Sequence, residues 1–242
     1  TARHQRQEQK RKSGKSPVKR QEQIWKAAGV AAGIFLSCIL IGLLAVNRRG
    51  DSVWKDMPVF EHFWKVEPIL SAAEAFPDLG IREEYLTINP YSRPGIELEQ
   101  VDKIVIHYTA NPGTTADANR DYFEGLADSG ATYASSHFII DLNGDIVQCV
   151  PLNEIAYASN EANAYSISIE CCHEDEEGEF SDSTYNSCVE LTARLCEYYQ
   201  LDPKKDVLRH YDITGKECPR YYVKHPDEWN LFLSYVAKEM GE

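Results

Sequence analysis

Short apolar runs bounded by polar turns recur through the second half of the chain and predict β-strands. The run at Lys103–Tyr108 is apolar through its centre, as expected of a short buried strand. Segments 137–141 and 145–150 flank Asn143-Gly144, a dipeptide typical of tight hairpin turns. The remaining strand patterns lie at 86–91, which has the character of an edge segment, at 165–171 and at 207–209.

Apolar residues at a spacing of three or four positions predict three helices, because residues so spaced share one helix face. The three faces consist of Ala118, Tyr122 and Leu126; of Tyr185, Cys188, Val189, Thr192, Leu195, Cys196 and Tyr199; and of Trp229, Phe232, Leu233 and Val236. Strands that alternate with helices are typical of an α/β domain. The predicted fold class is therefore α/β, with a mixed central β-sheet flanked by helices.

Residues 27–46 form an uncharged, apolar run of 20 residues, which is long enough to cross a bilayer as a helix. Nine basic residues precede it and only Arg48 and Arg49 follow closely, so the N-terminus is expected in the cytoplasm and the rest of the chain outside. A cleavable signal peptide is the alternative. The long basic preface and the lack of a small-x-small site near Ala45 favour an uncleaved membrane anchor.

Charge and proline positions divide the chain into four parts. Residues 1–26 form a basic cytoplasmic tail, 27–46 a single transmembrane anchor, 47–84 an extracytoplasmic stalk interrupted by prolines, and 85–242 the folded domain. Residues 1–50 carry 11 Lys or Arg and two Glu, whereas the whole chain has a formal net charge of −13. The domain is therefore strongly acidic, which argues against a nucleic-acid partner because phosphate binding depends on Lys and Arg.

The cysteines leave disulfide pairing open. Apart from Cys38 in the predicted anchor and Cys218, five remain, an odd number that cannot all pair within one chain. These five are Cys149, Cys171, Cys172, Cys188 and Cys196. One or two disulfides and a set of buried free thiols are both compatible with this count.

Candidate chemistry concentrates near the C-terminus, where His210 and Cys218 flank a Gly-Lys turn. Imidazole and thiolate both bind zinc well, and a catalytic zinc site uses three protein ligands. His107, at the end of the Lys103–Tyr108 run and before a loop rich in Gly, Pro and Asn, is the best third ligand.

Four segments in order resemble the zinc-dependent N-acetylmuramoyl-L-alanine amidases, which are related to phage lysozyme-type amidases and to peptidoglycan recognition proteins. They are 104–109, the hairpin that begins at His137, 166–170, and 209–219 with its Lys-Glu-Cys-Pro end. The resemblance implies that His107, His210 and Cys218 bind zinc. It also implies that Glu170 is the general base and Lys216 the oxyanion stabiliser.

The same resemblance implies a substrate groove for glycan strand and stem peptide. Its predicted lining residues are Tyr108, Asn111, His137 and Arg93, together with Tyr133. His173, beside a run of acidic residues, is expected on an exposed loop. Two positions depart from the family pattern: Arg220 stands where many relatives have Gly, and Ser136 where phage-type members have a catalytic Tyr. The second departure makes Glu170 the expected acid/base group.

The implied function is zinc-dependent hydrolysis of the amide bond between N-acetylmuramic acid and L-alanine in bacterial peptidoglycan. The apolar run adds the expectation of a membrane anchor, and the sequence leaves the oligomeric state open, with a monomer favoured. The main alternative is a recognition module on the same fold that binds peptidoglycan without cutting it. Retention of all three metal ligands favours the enzyme. A purely structural zinc is less favoured because such sites normally have four protein ligands.

Overall fold

The computed structural model describes residues 71–241, which form a six-stranded sheet with helices on both faces. The strands are β1 (Arg82–Glu83), β2 (Lys103–Tyr108), β3 (Phe138–Ile140), β4 (Ile146–Gln148), β5 (Ser166–Cys171) and β6 (Val207–Arg209). The helices are α1 (Ala72–Ala75), α2 (Ala116–Ser129), α3 (Asp182–Tyr199), α4 (Pro203–Asp206), α5 (His210–Thr214), α6 (Arg220–Lys224) and α7 (Pro226–Glu239). Two short 3-10 helices span Pro77–Leu79 and Asn160–Ala164.

The strand order is β1-β4-β3-β5-β2-β6, and every pairing is parallel except that of the β3-β4 hairpin. This mixed sheet confirms the predicted α/β class. The carboxyl ends of β5, β2 and β6 lie at one edge because these neighbours are parallel. In open α/β sheets, that edge is where ligands usually bind.

The sheet separates two apolar layers. Alternate residues of a strand face opposite sides, so Phe138 and Ile140 join the layer that contains α3 and α7, whereas Ile139 joins the layer that contains α2. The residues predicted to face the core from α3 are buried, apart from the partly exposed Tyr185. The four residues predicted to do so from α7 are also buried. Helices thus cover both faces of the sheet, so functional side chains are expected at the carboxyl ends of its strands.

The face predicted for α2 is wrong in part. Ala118 is exposed and Tyr122 is 55% exposed, whereas Asn119 and Phe123 are buried. The Asn119 amide faces inward because it donates to Thr114 Oγ1 at 2.9 Å and to the Thr115 carbonyl at 2.8 Å. These bonds satisfy a buried amide that the apolar pattern could not anticipate.

The folded domain begins earlier than residue 85. Residues 71–84, expected within the stalk, supply α1, a 3-10 turn and the edge strand β1. Ala72, Phe76 and Ile81 are buried in the larger apolar layer. The edge strand expected at 86–91 is absent from the described part of the chain, and β1 takes that role by pairing with β4.

The cysteines of the described domain, Cys149, Cys171, Cys172, Cys188, Cys196 and Cys218, are all free and buried. The predicted tail, the anchor and the stalk up to residue 70 lie outside the described residues. Between residues 71 and 241, no helix combines the length and apolar character needed to span a bilayer.

Candidate metal and catalytic site

Three adjacent strands bring the candidate residues to the carboxyl edge of the sheet. His107 is the fifth residue of β2 and pairs in register with Glu170 of β5. His210 follows β6 directly and begins α5. Cys218 reaches the same point from the loop after α5, where its carbonyl accepts a hydrogen bond from the Tyr211 N–H at 2.9 Å.

The three predicted ligands are brought together. One ligand atom each from His107, His210 and Cys218 lies within 4.8 Å of the other two, and all three side chains are buried. The two imidazole rings are 4.7 Å apart between centroids, and Cys218 Sγ is 3.7 Å from His107 Nδ1. At usual bond lengths of about 2.3 Å to sulfur and 2.0–2.1 Å to nitrogen, a tetrahedral zinc would separate those two atoms by about 3.6 Å. The spacing therefore fits a shared metal ion.

Unsatisfied polar atoms also point to an ion at this position. His210 Nδ1 and Glu170 Oε2 are buried and have no hydrogen-bond partner among residues 71–241. Buried polar atoms are nearly always paired, so each such atom needs a reason. A cation at this position would supply one, as a ligand bond for His210 and as a neighbouring positive charge for Glu170.

Burial keeps both histidines neutral, which metal binding requires. It lowers the pKa of His107 well below its ordinary value, with further contributions from the charges of His210 and Lys216. The pKa of His210 is lowered for the same main reason, and Lys216 adds to the effect. Burial and the nearby Glu170 raise the pKa of the Cys218 thiol to about 12, so a metal ion has to displace a proton to bind this sulfur as thiolate.

Glu170 lies beside the ligands, with Oε1 4.0 Å from His107 Nδ1. Its side chain keeps 17% exposure although Oε2 is buried. Burial raises the pKa of Glu170 to about 8, and the positive charge of Lys216 opposes this rise. A divalent cation at the site would lower that pKa again by favouring the carboxylate. Glu170 thus lies where its charge would interact with a bound cation.

Lys216 lies in the exposed turn between α5 and Cys218. Its carbonyl accepts a hydrogen bond from the Cys218 N–H at 2.7 Å. Its ammonium group is near enough to lower the pKa of His107, His210 and Glu170. Lys216 thus brings a positive charge to the solvent side of the site.

Tyr108 and Asn111 flank the site on the β2 side. The buried Tyr108 ring lies 5.0 Å from the His173 ring and 5.7 Å from the guanidinium of Arg220. Arg220 is itself bound to the acidic loop, where it donates to the Glu176 carbonyl at 2.6 Å. Asn111 is exposed in the loop after β2.

Arg93 and His137 belong to an interior network, which leaves His137 no free ring nitrogen for substrate. His137 is 1% exposed, its Nδ1 accepts from the Ser168 N–H at 3.0 Å, and its Nε2 donates to the Glu154 carbonyl at 2.9 Å. Arg93 donates to both Glu154 carboxylate oxygens, at 2.8 and 2.7 Å. The two residues thus anchor the segment around Glu154.

Two residues near the site differ from the sequence expectation. His173, expected on an exposed loop, is 1% exposed because its Nδ1 bonds the Asp175 carbonyl at 2.7 Å and its ring packs on Tyr108. Ser159 escaped the sequence analysis altogether, yet its Oγ lies 3.0 Å from His107 Nε2. No local sequence signal links Ser159 to a residue 52 positions away.

Known proteins are similar to this chain in sequence. Residues 97–221 fit the family model described as N-acetylmuramoyl-L-alanine amidase. The chain is 36% identical over 177 residues to N-acetylmuramoyl-L-alanine amidase BlyA of Bacillus subtilis (strain 168), covering 65% of this chain and 47% of that protein. It is 36% identical over 172 residues to N-acetylmuramoyl-L-alanine amidase CwlL of Bacillus licheniformis, covering 66% and 47%. The chain thus spans about half the length of these curated relatives.

The fold also matches a solved structure. The catalytic domain of XlyA superimposes with a TM-score of 0.54 at 28% identity, over 64% of this chain and 98% of that one. The family model covers just over half of the chain, including His107, Glu170, His210 and Cys218. This chain therefore belongs to the N-acetylmuramoyl-L-alanine amidase family.

Proposed function

We propose that this protein is a zinc-dependent hydrolase that cleaves the amide bond between N-acetylmuramic acid and L-alanine in bacterial peptidoglycan. The observation that carries the proposal is the buried group of His107, His210 and Cys218 with Glu170 beside it. Two nitrogens and one sulfur suit zinc. Three protein ligands leave a coordination position open, as catalytic zinc sites require and structural ones do not.

Beside the metal, Glu170 and Lys216 would have separate catalytic roles. Zinc, when bound, supplies Lewis acidity and lowers the pKa of a coordinated water. Glu170, as the carboxylate, takes a proton from the attacking water and delivers it to the leaving amide nitrogen. Lys216 places its positive charge where the carbonyl oxygen becomes negative, an interaction that strengthens as water is excluded.

An open groove formed by three separate segments would receive the glycan strand. It is lined by Ile88, Asn89, Pro90, Pro94, Tyr133 and Tyr157. Tyr133 is 63% exposed and packs edge-on against Tyr157 at 5.6 Å. Tyr157 lies two residues before Ser159, whose hydroxyl contacts the candidate ligand His107. Exposed aromatic faces suit the apolar faces of sugar rings.

We further propose that residues 27–46 anchor the protein in the membrane with the hydrolase domain outside the cell. The support is the uncharged 20-residue run and the excess of basic residues before it. Membrane fractions washed with sodium carbonate should retain the protein, and external protease should reach its C-terminal domain in cells stripped of wall. Release by carbonate would contradict the anchor.

The deciding experiment incubates the 242-residue chain with purified peptidoglycan, with and without a zinc chelator, and identifies products by mass spectrometry. Stem peptides with a free L-alanine N-terminus are expected. Chelation and Cys218→Ala should both abolish them, and zinc added back should restore only the wild type. Binding to peptidoglycan without this product would replace the hydrolase by a recognition module.

A further inference from the structure

The orientation of the His107 ring assigns its two nitrogens different tasks. Nδ1 faces the metal site, at 3.7 Å from Cys218 Sγ and 4.0 Å from Glu170 Oε1. Nε2 points the other way and lies 3.0 Å from Ser159 Oγ. A metal-binding nitrogen carries no proton, so the single proton of neutral His107 is on Nε2. With a metal on Nδ1, Nε2–H would therefore donate to the serine hydroxyl.

The Ser159 hydroxyl contacts His107 and does not cap the helix that follows it. It occupies the N-cap of the 3-10 helix Asn160–Ala164, where a serine hydroxyl commonly accepts from a backbone N–H of the first turn. Within the described part of the chain, this hydroxyl makes no such cap bond. The hydroxyls of Ser71, Thr115 and Ser181 all do cap their helices. The exception at Ser159 is the one that reaches a candidate ligand.

Asn163 fixes the backbone that carries Ser159. Its Oδ1 accepts from the N–H groups of Ala158 at 3.0 Å and of Ser159 at 2.6 Å. One side chain thus fixes the backbone at the residue that carries the hydroxyl. Asn160, between them, has a positive φ of 53°, which Asn tolerates better than most residues.

The contact is sealed from solvent. Ser159 is 0% and His107 1% exposed, so water cannot easily replace a deleted hydroxyl. Removing one partner of a buried hydrogen bond leaves the other unsatisfied, which costs more than the bond itself contributes. The ring of His107 would then lose its orientation and its fixed proton position.

We propose that Ser159, clamped by Asn163, is a positioning residue that holds His107 with Nδ1 directed at the metal. This inference rests on the proposed zinc site and adds to it a serine hydroxyl behind one ligand. Partners of this kind typically change metal affinity or activity 10–100-fold when removed.

The test compares Ser159→Ala, Ser159→Thr and Ser166→Ala in the 242-residue chain. Ser166 is the matched control because it is also buried, in the next segment, and its hydroxyl bonds the Ala162 carbonyl at 2.7 Å, away from His107. Zinc affinity is measured by competition with a chromogenic chelator. The kinetic constants kcat and KM are measured with soluble muropeptides as substrates. Ser159→Ala should weaken zinc binding about 10–100-fold and lower kcat with little change in KM. Ser159→Thr should recover most of the affinity, and Ser166→Ala should stay within about threefold of the wild type.

Equal zinc affinities for Ser159→Ala and Ser166→Ala would overturn the inference. If Ser159→Ala does not fold, Asn163→Ala and Asn163→Asp are compared instead, because only Asp keeps the Oδ1 acceptor. Weaker zinc binding by the Ala variant alone would support the positioning role of Asn163 and Ser159. Equal zinc binding by the two variants would overturn it. Wild-type protein that binds zinc but releases no stem peptide would overturn the proposed function alone. Wild-type protein that binds no zinc would overturn both.

Discussion

At the scale of single residues, the pairing of β2 with β5 makes the site. Register places Glu170 directly beside His107, and the same burial that keeps His107 neutral raises the pKa of Glu170 to about 8. A bound cation would lower that pKa and favour the carboxylate, which is the form that accepts a proton from water. The local environment therefore suits Glu170 to acid/base work.

Glu170→Gln should remove this proton transfer and keep the shape of the side chain. We expect kcat to fall by about 10²–10⁴-fold, while zinc affinity stays close to that of the wild type because Glu170 is not one of the three ligands. Kinetics on muropeptides and chelator competition measure the two quantities. If the variant loses zinc affinity together with activity, Glu170 contributes to zinc binding and the loss of activity does not report proton transfer.

His137 should make stability depend on pH. Burial lowers the pKa of His137 to about 4, against the opposing influence of the Glu154 carbonyl and carboxylate. The groups around it are Ser168, Glu154 and Arg93, which is paired with Glu154. Between about pH 6.5 and pH 4, the unfolded chain binds a proton here and the folded protein does not, so stability falls as pH falls.

The expected loss from His137 is at most about 3 kcal/mol of unfolding free energy between pH 7 and pH 4. Urea titrations of the wild type and of His137→Gln at several pH values measure it. The variant should be less stable at pH 7 but show a shallower decline on acidification. Parallel pH profiles for the two proteins would assign the acid sensitivity to other groups.

At the scale of elements, the β3-β4 hairpin is held against α3 by its turn. The Gly144 N–H donates to the Asp141 carbonyl at 3.0 Å and Asp141 N–H to the Asp145 carbonyl at 2.8 Å. Asn143 is not among the described residues with positive φ, whereas Gly144 has φ of 90°. The loop is therefore longer than the two-residue turn that Asn-Gly suggests, since that turn needs positive φ at both residues.

Gly144→Ala should destabilise the domain by more than about 2 kcal/mol. The positive φ alone costs about 1–2 kcal/mol for a residue with a side chain, and the new Cβ would lie 2.8 Å from Ser187 Oγ and 3.0 Å from the Ser183 carbonyl oxygen. Gly125→Ala is the control, because Gly125 lies in α2 with open space around it. It should stabilise by about 0.5–1 kcal/mol. Urea unfolding of both variants tests the contrast, and a stable Gly144→Ala would contradict the close approach to α3.

At the scale of the whole molecule, segments that are far apart in sequence meet in one groove. The proposed glycan groove takes residues from 88–94, 133 and 157, and Tyr157 is joined to Ser135 by a hydrogen bond in each direction, at 2.9 and 3.0 Å. The glycan binding proposed for this groove would therefore use other segments than those that carry the candidate metal ligands.

Tyr133→Ala should therefore affect binding more than chemistry. We expect KM for glycan-containing substrates to rise about tenfold with kcat nearly unchanged, because the lost contact is made equally in ground and transition states. Tyr235→Ala, which removes a tyrosine 43% exposed on α7, is the matched control and should leave both constants unchanged. A fall in kcat without a rise in KM would contradict a binding role for Tyr133 and indicate a role in the chemical step.

The sequence by itself determined the α/β class and pointed to the three candidate ligands, and its resemblance to the amidases implied the role of Glu170. Apolar periodicity reports which residues face a core, and His, Cys and Glu at these positions carry their chemistry in their side chains. The tertiary structure decided what depends on contacts between distant segments. It placed residues 71–84 in the domain, buried His173 and turned Asn119 inward. It also set Ser159 behind His107, because a hydrogen bond between residues 52 positions apart leaves no periodic trace in the chain.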